Sequence, residues 1–176
     1  MEHQSIKKFS LTEFDKLIKK DNIKYELIDT ILFMPPRPNY KHQEIMVNLY
    51  LEIGSYLKGK PCKVFTEAEI ELNENVIVPD ISVICGLENT NFQRYKKAPD
   101  LVIEILSDSS RYTDEFIKLN KYQMFSVKEY WIVNPRTETI TIYNFQNQTN
   151  IEFTKSEQLN SSLLNDLEID LKNIFL

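Results

Sequence analysis

Two carboxylates stand inside runs that otherwise read as buried β-strand, and no other feature restricts the fold as tightly. The stretch from Val76 to Cys85 is apolar on both faces apart from Pro79-Asp80 and the small Ser82, and Leu101 to Leu106 reads Leu-Val-Ile-Glu104-Ile-Leu. Strands apolar on both faces belong to the middle of a sheet that is covered on both sides. A lone carboxylate costs several kcal/mol or more to desolvate there, so each acid needs a partner. A divalent cation is one economical partner. Downstream, Asp114, Lys118 and Tyr122 fall at i, i+4 and i+8 and share one helix face.

The gross numbers leave this reading open. A chain of 176 residues with 42% apolar and 27% charged residues fits one soluble domain with a real core. A formal charge of −5 argues against a polycation that coats nucleic acid, although a local basic rim remains compatible with it. Three glycines, Gly54, Gly59 and Gly86, cannot build a phosphate-cradling loop. The start of the chain has no apolar signal core, and no run approaches eighteen apolar residues. The expected compartment is therefore the cytoplasm, with Cys62 and Cys85 as free thiols and Cys85 as plain core.

Local patterns give the order of elements. Ser10-Leu-Thr-Glu13 predicts a capping box and a short helix to about Lys20. Tyr25 to Phe33 predicts a hairpin turning at Asp29-Thr30, followed by a proline loop from Met34. Ile45, Leu49, Ile53 and Leu57 recur every four residues and predict a helix from about His42 to Lys58. Lys63 to Leu72 alternates and predicts one half-buried strand, and Val76 to Cys85 and Leu101 to Leu106 predict two central strands. A helix follows, capped by Ser109 or Ser110 and running to about Phe125. A strand from Glu129 to Asn134 comes next, then added strands at 139–145 and 151–154 and an apolar segment at 169–175. The core order is helix, three strands, helix, strand, an α/β or α+β fold with a mixed sheet flanked by helices.

Each polar position admits two readings. Asp80 and Glu104 could bind Mg²⁺ or Mn²⁺ through oxygen, with the carbonyl of Ile105 as a further ligand. Alternatively Asp80 ends a loop and Glu104 pairs with a lysine. Lys118 is either a surface salt bridge or a cation aimed at the acids, where it orients a water or stabilises a pentavalent phosphate. As an exposed helix lysine it would contribute little to stability. Lys121, about 60° around an ideal helix, could partly replace it. Tyr122 and Trp131 read as packing. Lys41, Arg94, Lys96, Lys97 and Arg111 could form a phosphate-facing rim.

These motifs carry a family resemblance. Pro79-Asp80, Glu104-x-Leu-Ser, Asp114-x3-Lys118-x3-Tyr122 and Glu129-Tyr-Trp-Ile-Val-Asn-Pro resemble the Uma-type restriction endonucleases of the PD-(D/E)XK superfamily. Tyr25-Glu26-Leu-Ile-Asp, His42-x2-Ile45-x3-Leu49 and the terminal Leu-x-Ile-Asp-Leu-x-x-Ile-Phe extend it to nearly the full chain. The resemblance implies one restriction-endonuclease-like domain over 1–176: an elaboration at 1–40, a catalytic core at 42–134 and added strands at 135–176. It implies that Asp80 and Glu104 are metal ligands. The lysine usually found two residues after the glutamate is Leu106 here, so its role moves to Lys118. His42, Glu26, Asp114 and Tyr122 become candidate accessory residues; for His42 a solvated cap and for Glu26 a strand-edge pairing remain alternatives. The implied activity is Mg²⁺-dependent hydrolysis of phosphodiesters, in DNA, by a homodimer. Rival readings are an idle nucleic-acid-binding or regulatory module on the same fold, and one half of a toxin–immunity pair. The chain departs from the family pattern at Thr30 and Ser126, where glycine is usual, and at Asp108, where proline is usual.

Overall fold

The computed structural model describes residues 7–19, 23–35 and 37–176. The first six residues, Lys20 at the expected end of the first helix and Pro36 of the proline loop lie outside them. Helix α1 (Leu11–Ile18) starts at the expected capping box. The Glu13 N–H donates to Ser10 Oγ at 3.3 Å, and the Ser10 N–H donates back to Glu13 Oε2 at 2.8 Å. Strands β1 (Glu26–Ile28) and β2 (Ile31–Phe33) form the expected hairpin. Its turn residues Asp29 and Thr30 are both left-handed, with φ of 49° and 66°. Helix α2 (Tyr40–Leu57) is capped by the Asn39 side chain and buries Ile45, Leu49, Ile53 and Leu57 along one stripe.

The two long runs of the sequence each break and divide between two sheets. Lys63 to Leu72 yields β3 (Cys62–Thr66) and β4 (Ile70–Leu72), because Glu67 turns left-handed at φ 48°. Val76 to Cys85 yields β5 (Asn75–Ile77) and β6 (Ile81–Cys85), because Pro79 has no N–H to continue a ladder. A small sheet has the order β2-β1-β5-β4. Further on come β7 (Leu101–Ile105), a π-helical turn (Thr113–Lys118) that continues into α3 (Leu119–Met124), and β8 (Glu129–Asn134). Strands β9 (Thr139–Asn144) and β10 (Thr149–Thr154) extend the edge. The main sheet has the order β10-β9-β8-β7-β6-β3, and only β7 and β8 run parallel. The predicted order of helix, three strands, helix, strand therefore stands, with the β4–β5 hairpin inserted between its first two strands. The fold is α+β.

Alternation on β7 sorts its side chains. Leu101, Ile103 and Ile105 pack with the α2 stripe and with Trp131 and Val133, while Val102 and Leu106 pack with Tyr122 and Tyr130 on the helical crossover side. Glu104 shares the parity of Val102 and so faces the crossover helix. The C-terminal pair β11 (Gln158–Asn160) and β12 (Glu168–Asp170) covers the α2 side with Leu159, Ile169 and Phe175. It is anchored by Glu129, which is fully buried and accepts from Trp131 Nε1, Ser161 Oγ and Ser162 Oγ at 2.7–2.8 Å.

The cysteines depart from expectation. Cys62 and Cys85 are directly opposite across β3 and β6 and are joined as a disulfide. A register pair on adjacent strands brings two β-carbons within bridging reach, a relation that sequence spacing does not reveal.

Candidate active site

Five segments converge on one cleft of about 700 Å³. Extending the β6–β7 register by one step beyond the Ile81–Ile103 pair sets Asp80 opposite Glu104. Both acids line the cleft, with Asp80 8% and Glu104 3% exposed. Asp80 Oδ2 accepts from the Ile105 N–H at 2.8 Å and lies 3.2 Å from His42 Nε2. Glu26 on β1 accepts the Val78 N–H at 2.8 Å through Oε1, so the small sheet delivers a third carboxylate. Asp114 on the π-helical turn delivers a fourth. Such wide turns occur mostly as single insertions in α-helices, often at functional sites.

Lys118 sits among these acids. Its Nζ lies 3.0 Å from Glu104 Oε1, 3.0 Å from Glu26 Oε1 and 3.3 Å from Asp114 Oδ1. Only 5% of the residue is exposed, which overturns the expectation of an exposed helix lysine. Lys121 does not back it up, because it turns away to pair with Asp29 at the β1–β2 turn. Tyr122 Oη donates to Glu104 Oε1 at 2.9 Å, so this tyrosine combines packing with a direct contact to the site. His42 is buried, and the cap of α2 is Asn39, so the reading of His42 as a solvated cap falls.

The electrostatics follow from burial and like charge. Burial raises the Glu104 carboxyl well above its usual range; Lys118 opposes this, while Asp114, Asp80 and Glu26 add to it. Asp114 is raised for the same leading reason, also against Lys118. Burial pushes Asp80 upward too, but the hydrogen bond and charge of His42 and the Ile105 N–H outweigh it and hold Asp80 below its ordinary value. Burial would lower Lys118, yet Glu104, Glu26 and Asp114 hold it well above normal. The cleft gathers carboxyl oxygens from Asp80, Glu104, Glu26 and Asp114, hard donors of the kind that suit Mg²⁺ or Mn²⁺. Among the described residues no group of three or more His, Cys, Asp and Glu side chains is placed to hold a metal ion by itself.

The basic rim differs from the expected one. Lys41 and Arg111 line the cleft, but Arg94 is locked by Asp15, Glu69 and Glu71, Lys96 pairs with Glu71, and neither lines it. Lys97 lies at a different depression, beside Cys85 and Asp100. Sequence reading missed Arg37 and Arg136 at the cleft mouth. Arg37 is exposed and has no ion-pair partner among the described residues. Its position after three residues of a proline-rich loop was the available signal, since such a loop projects whatever it carries.

The chain has relatives. Residues 11–172 match the family model Uma2, described as "Putative restriction endonuclease". The "uncharacterized protein slr1290" of Synechocystis sp. (strain ATCC 27184 / PCC 6803 / Kazusa) is 23% identical over 144 residues, covering 78% of this chain and 74% of that protein. Among solved structures, "a putative nuclease belonging to DUF820 from Anabaena variabilis ATCC 29413" superimposes with a TM-score of 0.84 at 24% identity, covering 95% of this chain and 97% of the other. That likeness establishes the fold.

Proposed function

Since the chain belongs to the Uma2 family, we propose that it is a metal-dependent nuclease that hydrolyses phosphodiester bonds, with DNA as its substrate and Mg²⁺ or Mn²⁺ as its ion. The observation that carries this reading is the convergence of Glu104, Glu26 and Asp114 on one buried ammonium, with Asp80 in register with Glu104, in one open cleft. Three buried carboxylates on one lysine, with a fourth beside them, are a poor structural investment unless a cation completes them. Asp80 and Glu104, with the carbonyl of Ile105, would hold the ion. When bound, it supplies a more acidic water and offsets charge building on the phosphate.

The remaining steps belong to the chain. His42 fixes the Asp80 carboxylate, and the Ile105 N–H fixes the same oxygen, so this ligand is pre-oriented. Lys118 orients the attacking water and stabilises the pentavalent phosphate as the P–O ester bond breaks. Arg37, Lys41, Arg111 and Arg136 hold flanking phosphates at the mouth. A homodimer belongs to the same proposal, because cutting antiparallel strands suits a two-fold axis. The test is cleavage of plasmid DNA with Mg²⁺, with Mn²⁺ and with excess chelator. Asp80→Ala and Glu104→Ala should each abolish a metal-dependent activity of the wild type, and equal cleavage in chelator would sink the reading. One observation favours the rival, an idle binding module: Lys118 already neutralises part of the cluster. DNA binding that persists without any cleavage in either metal would support that rival.

A further inference from the structure

Lys118 poses a problem for the reading just given, on which the following inference rests. Glu104, one of the carboxylates that would hold the ion, already has its Oε1 in contact with Lys118 Nζ at 3.0 Å and with Tyr122 Oη at 2.9 Å. The ammonium has three N–H donors, and three carboxylates surround it. Only Glu104 belongs to the register pair with Asp80. Glu26 and Asp114 lie on other elements, and Glu26 Oε1 is itself fixed by the Val78 N–H. A four-carbon stem lets an ammonium shift while keeping two of three contacts. Asp80 adds a fourth carboxyl group beside these three, so an ion can be accommodated without expelling the lysine.

We propose that Lys118 is the resident cation of the metal-free site, sitting on Glu104 in the ion's place, and that Glu26 and Asp114 are positioning carboxylates that receive it when the metal arrives. Metal binding is then an exchange: the ion gains Glu104, and the ammonium withdraws onto Glu26 and Asp114. That leaves it beside the water it is to orient.

The experiment measures Mn²⁺ affinity by titration calorimetry, apart from any cleavage. Lys118→Met should bind Mn²⁺ about tenfold or more tightly than wild type, because a tethered competitor is gone. Glu26→Gln should bind several-fold more weakly, because the displaced ammonium has lost a seat, yet adding Glu26→Gln to Lys118→Met should change nothing further. A further loss in that background would make Glu26 a direct ligand and overturn the proposal. Unchanged or weaker binding by Lys118→Met would overturn it as well. Should Lys118→Met fail to fold, as judged by circular dichroism, the charge-compensated Lys118→Met/Asp114→Asn is compared with Asp114→Asn alone, and the double variant must bind more tightly. Mn²⁺ binding by neither wild type nor any variant would instead sink the metal-site reading, and the exchange with it.

Discussion

Lys118 shows how far one residue's energetics depend on what surrounds it. A lysine on a solvated helix contributes a few tenths of a kcal/mol through an i, i+4 pair, and sequence alone supports no more than that. Here the same i, i+4 spacing to Asp114 is one contact of three, and the side chain is 6% exposed. Removing the cation leaves Glu26, Glu104 and Asp114 facing one another without compensation. Lys118→Ala should therefore destabilise the metal-free protein by about 3–5 kcal/mol, as expected for breaking a buried ion pair from one side. Lys121→Ala, which loses a pair with the 61%-exposed Asp29, should cost under about 1 kcal/mol. Urea unfolding of the two variants side by side decides the matter, and equal midpoints would show that Lys118 is not held as described. The acids at the centre of the site were legible in sequence because a charge in an apolar strand is conspicuous. Glu26 was harder to place, because its strand is three residues long and its donor, the Val78 N–H, is fifty-two positions away.

At the scale of elements, periodicity located helices and strands but not the breaks between them. Glu67 and Pro79-Asp80 look like interruptions within strands, yet they are the points where the chain leaves one sheet for the other. Neither residue type forces that choice, which packing on two separate cores decides. Turn chemistry was more legible. Thr30 and Ser126, where the family resemblance leads to an expectation of glycine, both have φ of 66°. Left-handed backbone strains any side chain, and a β-branched one most. Thr30→Gly should stabilise the fold by about 1 kcal/mol and Ser126→Gly by somewhat less, net of the greater freedom glycine gains in the unfolded chain. A fall in thermal midpoint for both would show that these turns are not left-handed. The disulfide gives an opposite test. Cys62 and Cys85 enclose a loop with a sequence separation of 23 and tie the edge strand β3 to β6. Cys62→Ser/Cys85→Ser should lose roughly 3 kcal/mol, and wild type under a thiol reductant should lose a comparable amount. Identical unfolding curves with and without reductant would show that the bond is not formed.

The whole molecule is acidic, and its site is more acidic still, so any polyanionic substrate must be held by local charge. The small sheet contributes Glu26, the link between the sheets contributes Asp80, the main sheet contributes Glu104, and the crossover helix contributes Asp114 and Lys118. A cleft assembled from so many segments is fixed only when all of them are folded, and its floor repels phosphate until a cation is added. Attraction must come from the lip. Arg37, Lys41, Arg111 and Arg136 stand there, and three of them are partly offset: Lys41 by Glu138 at 3.9 Å, Arg111 by Glu115 at 3.0 Å and Arg136 by Asp108 at 2.9 Å. Arg37 carries no such offset among the described residues, so it should contribute most to long-range capture. Binding of a labelled DNA oligonucleotide, followed by anisotropy across a salt series in Ca²⁺, should weaken severalfold in Arg37→Ala. The slope of log affinity against log salt should fall by about one counterion, the signature of a lost phosphate contact. Lys96→Ala removes an equal charge that is 70% exposed but tied to Glu71 away from the cleft, so its slope should match wild type. Equal loss in both variants would mean that net charge, rather than the lip of this cleft, governs binding.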